Sequence, residues 1–452
     1  MKGAAGDPIS AAALSGPPGF REALRVWAKI GLINFGGPAG QIALMHNILV
    51  EEKRWIDETR FLHALNYCML LPGPEAQQLA TYVGWLMHGI RGGIAAGTLF
   101  VLPGFAVILA LSIAYVSYGD APLVQGLLFG LKVAVLAIVA EALLRVSRRA
   151  LKDRASAAIA AAAFFAIAFL AVPFPLIVAG AAAAGLLLAR HGPALASQSG
   201  SRPAPALGGE STVANAAAAS LKAVLAWGIL WLAPVALLAA FLGAGHVFVE
   251  EALFFSKAAI VTFGGAYAVL AYVAQQAVEF YGWLKPDEML TGLGLAETTP
   301  GPLILVLVFV GFLAGARGET GLDPILAGTI GATITLFVTF VPSFLFIFAG
   351  APFVERLRGN RHVAAALAAI TAAVVGVIAN LALWFGLHVL FGEVGEATLG
   401  PFVLPVPDVS TFNPAAALIA LAAGVALLRF HIGVVPVLLC AAIAGAALRL
   451  FA

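Results

Sequence analysis

Apolar residues run through this chain in stretches of roughly 18 to 25, near the length of about 20 that an α-helix needs to cross a hydrocarbon core. Short clusters of Gly, Pro, Ser and charge separate them. Within a stretch the apolar positions do not alternate with polar ones, which favours spanning helices over a membrane barrel. Helical segments are predicted to start near Phe20, Phe61, Gly93, Pro122, Ala155 and Phe174. A second set starts near Val247, Asp287, Pro324, His362, Pro414 and Gly433, and a further helix from Leu221 to Leu242 lies between the two. The expected fold is an all-α polytopic membrane protein of about 13 transmembrane segments.

The two sets are copies of one unit. Lys29 to Gly37 reads KIGLINFGG and Lys257 to Gly265 reads KAAIVTFGG, so Lys, Phe, Gly and Gly match at one spacing. Trp55 and Trp283 keep that spacing, as do Pro72-Gly73-Pro74 and Pro300-Gly301-Pro302. With a small drift, Gly89-Ile90-Arg91-Gly92 faces Gly315-Ala316-Arg317-Gly318, and Leu102-Pro103-Gly104-Phe105 faces Val341-Pro342-Ser343-Phe344. Such self-similarity divides the chain into an N-terminal cytoplasmic tail (1–19), a first membrane repeat (20–190), a flexible cytoplasmic linker (191–220), a linker helix (221–242) and a second membrane repeat (243–452). If every segment crosses, the odd linker helix starts the second repeat on the opposite side, and the repeats are inverted.

Basic residues test that orientation, because cytoplasmic loops collect Lys and Arg. With the N-terminus inside, Arg145 to Arg154, Arg356 to His362 and the linker bearing Arg190, Arg202 and Lys222 all fall inside. The loop Gly392 to Thr411 holds Glu393, Glu396 and Asp408 but no Lys or Arg, and falls outside. Lys53, Arg54, Arg60 and Arg317 fall on the expected outer side against the rule. A re-entrant first or second segment would remove the conflict at Lys53, Arg54 and Arg60.

Composition narrows the function. Hydrophobic residues are 62% of 452 and charged ones 11%, too few polar groups to clothe a soluble body, so the lipid bilayer is the surrounding medium. A net charge of +2 without a basic stripe excludes nucleic acid as partner. Cys68 and Cys440 imply neither disulfide nor metal site, and His46, His63, His88, His246 and His388 lack ligand spacing. Neither a phosphate-cradling G-x-x-x-x-G-K-[ST] loop nor H-E-x-x-H occurs, so no cofactor and no enzymatic activity is expected. The first 18 residues lack the pattern of a cleaved signal peptide.

The chemistry should lie at the repeated breaks. A Pro-Gly-Pro triplet interrupts a helix, and irregular backbone at membrane depth is tolerated only where it is packed in protein or lines a wet cavity. Broken helices at matching places in two repeats mark a transporter's binding site. The half-helix after each triplet would aim free amides at an anion. Candidate substrate ligands are therefore Gly73 and Gly301, the polar neighbours Gln77, Thr298 and Thr299, and the glycine pairs Gly36-Gly37 and Gly264-Gly265 with Asn34. Lys29 and Lys257, six residues before each Phe, and Lys132, deep in the fourth segment, are candidate cationic ligands. Glu75 and Glu297 are candidates for proton coupling, since an intramembrane carboxylate is costly unless paired, hydrated or protonated. The competing explanations are packing kinks for the triplets, small-residue helix packing for the glycine pairs, snorkelling to the interface for Glu75 and Glu297, a positive-inside anchor for Lys29 and an internal ion pair for Lys132.

At Phe35-Gly36-Gly37-Pro38 and Pro72-Gly73-Pro74-Glu75-Ala76-Gln77 the chain resembles the chromate ion transporter (CHR) family, whose longer bacterial members are two homologous halves of opposite orientation. The resemblance runs from about Phe20 to Phe391; the departures are Ala266 in place of Pro and no Gln just after the second triplet. It implies efflux of chromate, a sulfate-like tetrahedral oxyanion, across the bacterial inner membrane, with chromate resistance as the outcome; protonation of Glu75 or Glu297 would couple that movement to the proton gradient. It leaves room for a homodimer. Transport of sulfate or another oxyanion, an anion channel and a membrane-embedded enzyme are the alternatives.

Overall fold

A computed structural model of the chain describes residues 18–191, 213–263, 265–351 and 361–451. The linker core and most of the expected N-terminal tail lie outside these residues, as does Gly264.

In the first half, α1 (Phe20–Ile33) is followed by α2 (Gly37–His46), which runs on as a π-helical turn Asn47–Glu52. Then come α3 (Glu58–Cys68), α4 (Glu75–Tyr118), α5 (Pro122–Ala150), α6 (Arg154–Leu170) and α7 (Phe174–His191). The helix α8 (Val213–Leu242) joins the halves and begins before the expected Leu221. The second half repeats the order: α9 (Val247–Val261), α10 (Ala266–Gln275) with a π turn Gln276–Phe280, α11 (Pro286–Thr298), α12 (Val306–Arg317), α13 (Pro324–Gly350), α14 (Arg361–Leu390), α15 (Pro414–Leu428) and α16 (Val434–Phe451). Among the described residues, five helices are long and apolar enough to cross a membrane, within α4, α5, α8, α13 and α14.

Local chemistry explains where these helices start. Pro stands in the first turn of α5, α11, α13 and α15, where its missing amide costs nothing. Asp57, Asp153, Asp323 and Asn413 cap α3, α6, α13 and α15 with side-chain oxygens that accept free amides. Inside α4, His88 (φ −138°, ψ 24°) and Gly89 (φ 61°, ψ −154°) leave helical geometry and divide it into arms 75–87 and 90–118.

One expectation needs correction: the fold is not purely helical. The strands β1 (Val394–Leu399) and β2 (Phe402–Pro407) pair antiparallel, with Leu399 opposite Phe402 across Gly400-Pro401. Gly400 supplies the positive φ of 62° the turn needs, and the flanking Val and Thr residues suit a pleated surface.

The broken segments fold back instead of running through. Glu22 in the first turn of α1 meets Lys53, just past α2, at 3.2 Å. His88 at the end of α4's first arm reaches the Pro18 carbonyl at 2.8 Å and packs on Phe20. In the second half, Arg317 at the end of α12 pairs with Glu288 in the first turn of α11 and donates to the Trp283 carbonyl. Val247 at the start of α9 lies against Gly318. Each half therefore contributes two hairpins of half-helices whose bases lie together and whose tips carry Phe-Gly-Gly and Pro-Gly-Pro.

The remaining helices are exchanged between halves. Helices α6 and α7 pack on α14, while α15 and α16 pack on α5, the reciprocal pattern of a two-fold relation. Bare glycines make the crossings: a Cβ on Gly130 would fall 2.8 Å from the Ala442 Cα, and one on Gly376 2.7 Å from the Phe164 amide. Gly130→Leu should therefore lower the detergent melting temperature strongly, because overpacking costs about 1–3 kcal/mol even where side chains can yield. Gly180→Leu, at a position with nothing within 4 Å, should leave it unchanged.

Candidate functional site

The four tips meet one another. Proline has no amide, so each Pro-Gly-Pro triplet has one N–H to place, that of its glycine. Gly73 donates it to the Thr262 carbonyl at 2.9 Å, and Gly301 donates its own to the Asn34 carbonyl at 2.8 Å. Thr262 and Asn34 are matching residues, each directly before a Phe-Gly-Gly. The triplet of one half is thus tied to the glycine turn of the other, twice over.

That contact changes the expected role of two residues. The Gly73 and Gly301 amides are engaged with carbonyls of the opposite half in this conformation. Their backbones hold φ of 119° and 105°, a region that L-residues avoid. Gln41 reinforces one junction, its Nε2 donating to the Gly301 carbonyl at 2.5 Å.

Around this junction the half-helices that start after each break point inwards. Pro38 opens α2, Glu75 and Ala76 open α4, Ala266 opens α10, and Leu303 and Ile304 lead into α12. All of them, with Gln41 and Gly265, line one cavity of about 20 Å³. Four helix N-termini, each with free amides and the positive end of a helix dipole, therefore face a common space. That volume accommodates about one water. A four-oxygen anion would need the tips to part.

Other predicted residues gather at the same place. Asn34 is fully buried, and among the described residues both its side-chain amide atoms are unpartnered, as is Oε1 of Gln77, whose Nε2 donates to Thr81 Oγ1 at 3.2 Å. Gly36 and Gly37, both with positive φ, open α2. Thr298 and Thr299 donate their hydroxyls to the Leu295 and Ala296 carbonyls at 2.8 and 2.9 Å. Glu297 is buried and accepts from the Tyr267 hydroxyl at 2.6 Å, whereas Glu75 lines the cavity itself.

The lysines lie elsewhere. Lys132 pairs with Asp287 at 3.1 Å and lines a wide cavity of about 530 Å³ with Lys285, Glu288 and Arg317, not the cavity between the tips. Glu141 pairs with Arg145 and borders a second cavity, of about 570 Å³, with Arg148, Arg149 and His431. Lys29 and Lys257 stand on exposed flanks of α1 and α9, and Arg21 and Arg25 continue the first flank towards its base.

Sequence reasoning missed Gln41, Gln78, Tyr267 and Ser343. Gln78 Nε2 donates to the Pro72 carbonyl at 2.6 Å, and Ser343 lies against Gly73. Only Gln78, next to a predicted ligand, had a local signal; the others reach the tips from distant segments.

Comparison with known proteins agrees with this architecture. The chromate transporter family profile matches residues 21–186 and 249–446, one segment in each half. A chromate transport protein of Pseudomonas aeruginosa is 32% identical over 366 residues, 80% of either chain. One from Cupriavidus metallidurans is 26% identical over 362 residues, covering 79% of this chain and 80% of its own. A probable chromate transport protein of Synechococcus elongatus is 26% identical over 372 residues, 81% of this chain and 84% of its own. No solved structure matches the chain. With both sets of helix breaks inside the matched segments, this multi-pass membrane protein belongs to the chromate transporter family.

Proposed function

We propose that the chain is a secondary transporter that exports chromate from the cytoplasm across the bacterial inner membrane, coupled to protons and conferring chromate resistance. The observation that carries this reading is the convergence of four helix N-termini on one cavity, because their amides and dipoles favour an anion without any fixed cation. Two relatives, matched over 80% and 79% of this chain, are chromate transport proteins.

In this reading the repeats are inverted. Hairpins that meet tip to tip have bases on opposite faces, so those of the first half enter from the cytoplasm and those of the second from outside. The crossings are then made by the second arm of α4, by α5 to α8 and by α13 to α16. Lys53, Arg54 and Arg60 move to the cytoplasmic side with the cluster from Arg145 to Arg154, which removes the conflict with the positive-inside rule. Arg317 stays outside, paired with Glu288.

Arg145, Arg148 and Arg149 then line a cytoplasmic cavity able to concentrate a dianion. Lys29, with Arg21 and Arg25, makes a cationic flank on α1 that avoids lipid by facing a wet path. The tips part on one side at a time, admitting chromate among Asn34, Gly36, Gly37, Gln77, Gly265, Thr298 and Thr299. A carboxylate at Glu75 competes with the anion for the four N-termini, so its protonation is linked to substrate occupancy.

The test is labelled-chromate flux in proteoliposomes. Saturable flux, accelerated by an imposed pH gradient and competed by sulfate, is expected. Glu75→Gln should remove the pH dependence and shift the KM. No saturable chromate flux under any gradient would overturn the assignment.

A further inference from the structure

Glu251 takes part in nothing described so far. It lies in the second turn of α9, fully buried, and neither carboxylate oxygen has a hydrogen-bond partner among the described residues. The carboxylate rests on the bare backbone of Gly331 in α13, where a Cβ would come within 2.9 and 3.0 Å of its two oxygens.

From Gly331 a polar stripe runs along α13. Residues 331, 335, 339 and 343 are successive positions on one helix face, so Thr335, Thr339 and Ser343 lead from Glu251 towards the tips. All three are buried, and Ser343 ends the stripe against Gly73, whose added Cβ would meet its Oγ at 2.9 Å. The Thr335 and Thr339 hydroxyls have no partner among the described residues. Threonines in apolar helices ordinarily donate back to the preceding turn. Thr329 and Thr333 do so elsewhere on this helix, each at 2.7 Å. Uncommitted hydroxyls are thus confined to the stripe that starts at the carboxylate.

The first half shows that packing does not require them. Gly84 lies against the Gly92 carbonyl as Gly311 lies against that of Gly331, and Gly104 lies against Pro300 as Ser343 lies against Gly73. By that equivalence the first half carries Ala23, Ala96, Phe100 and Gly104 where the second has Glu251, Thr335, Thr339 and Ser343. One half closes the same helix pair with apolar side chains; the other buries a carboxylate and free hydroxyls at a cost in stability.

A buried carboxylate needs a counter-charge or a proton. Helix α13 has no titratable residue. The other packed elements carry Lys222 on α8, Tyr267 and Tyr272 on α10 with Glu279 beyond it, Arg317 on α12 (held by Glu288), and His246, Glu250 and Lys257 around α9 itself. None of them makes a hydrogen bond or ion pair to Glu251 among the described residues.

We propose that Glu251 is a proton-binding site of this transporter, connected to the central tips by the Thr335, Thr339 and Ser343 hydroxyls. This rests on the proton-coupled reading above and adds a carboxylate outside the anion cavity. The carboxylate takes one proton from the outer side and re-forms when that proton leaves along the stripe. Consecutive hydroxyls sit on residues four apart, about 6 Å along the helix axis, a gap that a single water bridges.

The experiment compares chromate accumulation driven by a pH gradient with chromate exchange at equilibrium, in proteoliposomes of wild type and Glu251→Gln. Gradient-driven accumulation is expected to be lost in the variant, while exchange, which moves no net proton, separates a coupling defect from a folding defect. Infrared difference spectra in H2O and D2O should show a protonated carboxyl band in wild type that is missing from Glu251→Gln. A coupled wild type with an equally coupled Glu251→Gln overturns this inference alone; a wild type indifferent to the gradient brings down the proton-coupled reading. Should Glu251→Gln fail to assemble, the near-isosteric pair Thr335→Val and Thr339→Val decides: slowed coupling supports the stripe, and unchanged coupling overturns it.

Discussion

Gly301→Ala is expected to abolish chromate flux, and Gly73→Ala to do the same. Both glycines hold φ values above 100°, where an L-residue is disfavoured by about 1–2 kcal/mol. A Cβ would also displace side-chain ends, standing 2.7 Å from Leu305 Cδ1 at Gly301 and 2.8 Å from Gln78 Nε2 at Gly73. A triplet that rotates to relieve this strain loses its single amide bond to the opposite half, worth roughly 1 kcal/mol. Together the terms reach about 2–3 kcal/mol, so the closed arrangement becomes about a hundredfold less populated. Flux in proteoliposomes and monodispersity in detergent report the result. Gly282→Ala is the control, because its φ of 64° is also positive but a Cβ there meets nothing within 4 Å. If Gly301→Ala transports like wild type, the tip contacts are not part of the working cycle.

The second large effect concerns sidedness. Glu52 and Phe280 end the matching π turns and stand exposed at the bases of their hairpins. In a background with Cys68 and Cys440 replaced, an impermeant thiol reagent should label Phe280→Cys in intact spheroplasts. Glu52→Cys should react only in inverted vesicles. Labelling of both from one side would contradict the inverted arrangement, since two tip-to-tip hairpins cannot share a face.

Much of the architecture was readable in advance because its signals are local. Pro122, Pro286, Pro324 and Pro414, with caps such as Asp57 and Asp323, mark helix starts by which backbone groups they satisfy or lack. Lys132 shows the opposite case: hydropathy placed it deep in a segment, and only the docking of α11 on α5 brings Asp287 to its ammonium. Fold-back was signalled only by the misplaced charges of Lys53, Arg54 and Arg60, and hydropathy hid it for a similar reason. Two apolar half-helices joined at a break present the same count of apolar residues whether they continue through the bilayer or reverse, and the Glu22–Lys53 pair that marks the reversal is non-local.

The sequence by itself determined the membrane setting, the two copies of one unit and the positions of the four breaks, because apolar length and the missing proline amide act on neighbouring residues. Tertiary structure alone decided that the breaks meet, that Gly73 and Gly301 are tied to the opposite half, and that Glu251 has no hydrogen-bond partner among the described residues. Those outcomes depend on which distant backbone carbonyl or side chain arrives within about 3 Å, the reach of a hydrogen bond, and no pattern along the chain encodes that distance.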